Sequence, residues 1–142
     1  MARKQYIGQL ELLAAVCVYY SVPADEWDGR HIVHFIDNTS ALAALVKGYS
    51  SAPDSAHIVH AFHALMLRLR CDVWFEYVRS KANIADLPSR GDLALVRELG
   101  ATEVLVRWPP IESWLGPVSW WLSADAAAST IGVGGELSLI HI

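Results

Sequence analysis

The segment from His31 to Asp37, HIVHFID, is the strongest constraint on how this chain folds. It is short, β-branched and aromatic, and it ends on a carboxylate. That composition predicts a strand buried on both faces. The residues that follow, SALAALVKG, read as a helix that Thr39 or Ser40 can cap and Gly48 ends. A buried strand that runs straight into a helix is the opening half of an α/β crossover.

The flanking segments fit the same unit. Gln9 to Tyr20 (QLELLAAVCVYY) lacks Gly and Pro and is rich in Leu and Ala, so it predicts a largely buried helix. Asp54 or Ser55 can cap a further helix that runs to about Arg70, with an apolar stripe of Ile58, Val59, Phe62, Leu65, Met66 and Leu69. Asp72 to Val78 (DVWFEYV) alternates as a strand. A short helical turn opens at Asn83 and is limited by Pro88 and Gly91. Another helix is expected from Asp92 to Leu99, ending at Gly100. A strand joined to a second strand by a helical crossover predicts parallel pairing.

With 142 residues, 54% of them hydrophobic, the chain can bury a core and is not a disordered segment. No apolar run is long enough to span a bilayer. No signal-peptide cleavage pattern follows the Met-Ala-Arg-Lys start. Cys17 and Cys71 lie in apolar runs and read as reduced core residues of an intracellular protein. The formal net charge of −4 lends no support to nucleic-acid binding through an overall basic surface. It is compatible with a site that holds divalent cations, which must itself be acidic.

Three acids stand where packing alone would not put them. Glu11 interrupts an apolar helix and needs a partner, a metal or a narrow strip of solvent. Asp37 ends an apolar strand, where sites form in open α/β sheets, and where an Asp can also cap the next helix. Asp86 lies three residues after Asn83, which is equally the spacing of a capping-box acid.

In order and at fitting distances, ELLAAV, HFIDNTSAL and YVRSKANIADLPSR resemble the ribonuclease H domains of LTR-type and related retroelement polyproteins. In that family a helix carries E-L-L-A, a strand ends in D-N, and a late segment reads N-x-x-A-D-x-x-S-R. Here Asn83, Ala85, Asp86, Ser89 and Arg90 all match that last segment, and the resemblance covers about residues 5 to 92. It implies an α/β fold of the ribonuclease H type, a mixed five-stranded sheet flanked by helices. It implies that Glu11, Asp37 and Asp86 are the second, third and fourth of four acidic ligands to two divalent ions, normally Mg2+, with Mn2+ also possible. Carboxylates without His or Cys suit such hard cations. Two ions roughly 4 Å apart can activate a water and stabilise the leaving oxygen of a phosphodiester. The implied partners are an RNA–DNA hybrid and an upstream reverse transcriptase domain of the same polyprotein. Asn38, Asn83 and Arg90 would contact nucleic acid. Arg79 and Lys81 either contact phosphate or are solvated loop cations.

The chain departs from the family twice. The loop before Asp86 reads Arg79, Ser80, Lys81, Ala82, without the His that many members carry. The first strand, with its leading Asp, should precede Glu11, yet none of the ten residues before Glu11 is acidic. SADAAASTIGVGG, from Ser123 to Gly135, resembles that missing strand and turn, which makes Asp125 the displaced first acid, expected near Asp37. The alternative is a tail of small residues whose glycines permit a turn. Leu137 to Ile142 (LSLIHI) looks like a translated sequencing-library adapter. The organisation read from the sequence is therefore a ribonuclease-H-like domain over 1–106, a Trp- and Pro-rich tail over 107–122, the displaced strand over 123–136 and the adapter over 137–142. Three functional readings compete: hybrid-cleaving nuclease, catalytically incomplete remnant or connection-like module, and another nuclease or transposase of the same fold.

Other features carry less chemistry. His57, His60 and His63 recur on one helix but lack a Cys or an acid that would complete a zinc site. His31 and His34 are placed on opposite faces of their strand. Of Trp74 and Phe75, at least one should enter the core. Trp108, Trp114, Trp120 and Trp121 read as an aromatic tail that packs onto the domain or a polyprotein neighbour.

Overall fold

A computed structural model describes residues 2–109 and 138–141. Their element order is α1 (Ala2–Ser21), β1 (His31–Ile36), α2 (Thr39–Lys47), α3 (Pro53–Leu69), β2 (Asp72–Tyr77), α4 (Asp86–Ser89), α5 (Ala94–Glu98), β3 (Thr102–Leu105) and β4 (Ser138–His141). Short 3-10 turns occupy Ala24–Glu26 and Ser80–Ala82. The chain is of mixed α/β class. No described helix is long and apolar enough to cross a membrane.

β1 and β2 pair in parallel, with His31 opposite Asp72 and Ile36 opposite Tyr77. The ladder continues past the strands, since Val78 N donates to Ile36 O at 3.1 Å. β3 and β4 form a separate antiparallel pair, Thr102 opposite His141 and Leu105 opposite Ser138. The sequence pattern predicts no strand over Thr102–Leu105. Among the described residues there are thus two two-stranded sheets.

One face of the β1–β2 ribbon carries Ile32, His34, Ile36, Val73 and Phe75 into a core shared with α1, α2 and α3. Leu12, Val16 and Tyr19 line the inner side of α1, one or two turns apart, and meet Leu45 of α2 and Val59, Phe62 and Leu65 of α3. Phe62 is the hub: its ring lies 5.4 Å from both Tyr19 and Phe75, and it is fully buried. Burial of such a ring stabilises the fold by about 2–3 kcal/mol.

The other face corrects the expectation of a doubly buried strand. Val33 and Phe35 are each 57% exposed and Trp74 is 68% exposed. Burial alternates along β1 because α1, α2 and α3 all join the core on the opposite face. α1 is likewise less buried than its composition suggests, since Tyr6, Ile7 and Leu10 are exposed.

The helix ends follow local chemistry. Asn38, rather than Thr39 or Ser40, caps α2: its Oδ1 accepts from Ser40 N and Ala41 N, both at 3.0 Å. Gly48 closes α2 at φ 67. α3 starts at Pro53 with no side-chain cap, so neither Asp54 nor Ser55 takes that role. Arg70 ends α3 in the left-handed region at φ 52.

Candidate functional site

Parallel pairing decides where the acids go. The C-terminal ends of β1 and β2 lie at the same end of the ribbon. Asp37 follows directly from β1. Beyond β2, the chain passes through Val78, Arg79 and the Ser80–Ala82 turn to Asp86, the first residue of α4. This is the end of an α/β unit at which sites form.

Glu11 completes the group from α1. It is half-buried, and its Oε2 is buried without a hydrogen-bond partner. Burial holds its carboxyl above the usual carboxylate range, and the negative charge of Asp37 adds to that. The Asn38 side chain, hydrogen-bonded to it, acts in the opposite direction, and the charge of Asp86 raises it further. Glu11 therefore feels both of the other acids through space.

Asp86 is partly exposed and pairs with Arg90, one helical turn on, at 3.4 Å. It is not a capping-box acid in the way its spacing allowed. Asn83 Oδ1 instead accepts from Ala85 N at 3.2 Å and shapes the turn into α4. Ser89 Oγ donates to Asp86 O at 2.7 Å and closes that turn. Arg79 and Lys81 are exposed on the loop between β2 and α4. Asp125 lies outside the described residues, as do Trp114, Trp120 and Trp121.

Comparison with protein-family models, with curated proteins and with solved structures finds no match. The case for a site therefore stands on its own residues. Among the described residues, no three His, Cys, Asp or Glu side chains form a group that could hold a metal ion. Asp37 and Asp86 lie toward one end of the β1–β2 ribbon and Glu11 is raised in part by their charge, but by themselves the three do not form a group that could hold a metal ion.

An open cleft of about 550 Å³ lies between α1 and α2, lined in part by Gln9, Leu12, Asn38, Ser40, Ser50 and Ser55, and none of the three acids lines it. Its polar groups are uncharged. The family resemblance implies only a nucleic-acid contact for Asn38, although Asn is also among the preferred residues at a helix N-cap. That preference was the available signal for its structural role.

The histidines have other partners. His63 Nε2 lies 3.1 Å from Leu45 O, and His57 Nδ1 lies 2.9 Å from Pro53 O. Each ring is thus engaged with a backbone carbonyl. His31 is exposed beside Asp72 at 3.2 Å, whereas His34 points inward, so the two occupy opposite faces as their spacing requires.

Proposed function

We propose that this chain is the ribonuclease H domain of a retroelement reverse transcriptase and cleaves the RNA strand of RNA–DNA hybrids. One observation carries the reading. Glu11 of α1, Asp37 just after β1 and Asp86 at the start of α4 are far apart in sequence, yet the parallel β1–β2 pair brings the segments of Asp37 and Asp86 to one end of the ribbon, and the half-buried Glu11 carboxyl is raised by burial first and then by their charges. In the retroelement resemblance these same residues are the second, third and fourth acids. The α/β order and the parallel β1–β2 pair are compatible with a ribonuclease-H-like fold.

The donor set suits a hard divalent ion. It consists of carboxylate oxygens, and one of them, Glu11 Oε2, is buried with no protein partner. Magnesium or manganese, when bound, would activate a water and stabilise the leaving oxygen. Glu11, Asp37 and Asp86 would be its ligands, with Asp125 as the displaced first acid. Arg79 and Lys81, exposed on the loop before α4, would meet the phosphate backbone. Asn38, Asn83 and Arg90 are the further contacts proposed at this end of the domain. Recognition of a hybrid would rest on its shape and its 2′-hydroxyls rather than on base sequence. An upstream polymerase domain of the same polyprotein would be the covalent partner.

A second reading has its own support. Three acids that do not close a metal-binding group fit a folded but catalytically incomplete module. Hybrid cleavage in magnesium separates the two readings. Asp37→Asn should abolish cleavage in the first, and the unsubstituted chain should show none in the second.

A further inference from the structure

We propose that Cys71, Met66 and His63 form a binding site for a soft monovalent cation, Cu(I), in a cleft between α3 and the start of β2. The cleft is separate from the acids. Cys71 immediately precedes the N-terminal end of β2, whereas Asp37 follows the C-terminal end of β1, and the two strands are parallel.

The cleft has a volume of about 590 Å³, and His63, Met66 and Cys71 line it with the apolar Phe62, Val73 and Phe75. Cys71 Sγ lies 3.7 Å from Met66 Sδ. With bonds of about 2.3 Å, the length of a zinc–thiolate bond, two sulfurs at that separation subtend about 107° at a shared ion. That angle leaves room for a third ligand.

His63 is prepared for that place. Its Nε2 lies 3.1 Å from Leu45 O, and a carbonyl oxygen only accepts, so Nε2 carries the hydrogen. The neutral ring then has its free lone pair on Nδ1. Ligating histidines commonly fix their tautomer by such a bond from the other ring nitrogen. His63 and Met66 are three residues apart on α3, which sets them on one face of the helix.

The donor types select the ion. Zinc sites are built from thiolate, imidazole and carboxylate, without thioether. A thioether beside a thiolate is a soft pair that suits Cu(I). The charged residues of the lining, Arg70 and Asp72, are exposed and pair with Asp28 and His31. On binding, the Cys71 S–H bond breaks, an S–Cu bond forms and the proton leaves to solvent. The copper stays Cu(I), so no oxidant or reductant is needed.

The test is anaerobic titration of the full chain with Cu(I) against a chromophoric Cu(I) chelator, with M66L, C71S and C17A alongside. One ion should bind per chain. M66L removes the thioether at nearly constant volume and should weaken binding roughly tenfold, and C71S should weaken it at least roughly a hundredfold. M66L carries the test if C71S does not fold. C17A, which removes the other thiol, should match the unsubstituted chain. X-ray absorption at the copper edge should show two sulfurs and one nitrogen. No competition with the chelator, equal affinity in M66L, weakened binding in C17A, or a copper shell with fewer than two sulfurs would overturn the proposal.

Discussion

Tyr19 Oη and His34 Nδ1 share a hydrogen bond of 2.8 Å that joins α1 to the inner face of β1. The imidazole lies against the rings of Tyr19 and Phe75, with centroids 5.7 and 5.6 Å away. Burial lowers the His34 pKa from 6.5 to about 4. The folded state therefore holds His34 neutral where the unfolded chain would protonate it.

This predicts an acid-sensitive fold. A depressed folded pKa gives stability that is complete above about pH 6.5 and lost as the pH falls toward about 4. The loss from this group is about 3 kcal/mol, at 1.36 kcal/mol for each pKa unit. Urea midpoints measured from pH 7 to pH 4 should fall along this limb. His34→Gln, which does not titrate, should flatten it, and an unchanged slope in that variant would rule out His34 as the cause.

Two left-handed positions predict opposite effects. Gly48 has φ 67, and an added Cβ would meet the His63 ring at 3.6 Å. Gly48→Ala should cost about 1–2 kcal/mol. Arg70 has the same type of conformation with a side chain attached, at φ 52. Arg70→Gly should cost nothing or stabilise by up to about 1 kcal/mol, because relief of strain offsets the added chain entropy. Its pair with Asp28, at 3.4 Å, is too exposed to reverse this. Thermal melts of the two variants provide the comparison.

The two faces of the β1–β2 ribbon should respond differently to truncation. Phe62→Ala, at the core hub, should cost about 3–5 kcal/mol in a urea titration. Trp74→Thr and Phe35→Thr, on the exposed face, should each change stability by less than about 0.5 kcal/mol. A large loss at Trp74 would mean that this face is covered in solution.

Much of this arrangement was legible in the chain, because local patterns carry it. The alternation of DVWFEYV, the stripe from Ile58 to Leu69 and the glycine after Lys47 each act within a few residues, and β1, α3, β2 and the end of α2 follow them. The coverage of β1 was not legible. Val33 and Phe35 are as apolar as Ile32 and Ile36, so only the positions of the helices decide which face is buried. The β3–β4 pair joins residues distant in sequence, and neither strand has strong periodicity of its own. In the site, Glu11 was conspicuous as a charge in an apolar helix. The cap on α2 was misassigned by one or two residues, because Asn38, Thr39 and Ser40 all have side-chain oxygens that can cap and only the backbone geometry shows that Asn38 does so.

Like-charge repulsion predicts a trade between stability and metal response. Removing the Asp37 charge relieves Glu11, so Asp37→Asn should melt slightly above the unsubstituted chain in EDTA. Magnesium should raise the Tm of the unsubstituted chain, since a ligand at a hundredfold excess over its Kd adds about 2.7 kcal/mol. The same ion should move Asp37→Asn less. Equal magnesium shifts in both would place the ion elsewhere.

Cleavage of an end-labelled RNA–DNA hybrid in magnesium, with the full chain and its Asp37→Asn variant side by side, tests the central claim most directly. The proposed function predicts internal cuts in the RNA strand, loss of cutting in EDTA, and activity at background in the variant. No cleavage by the unsubstituted chain, or equal rates in the two proteins, would contradict it.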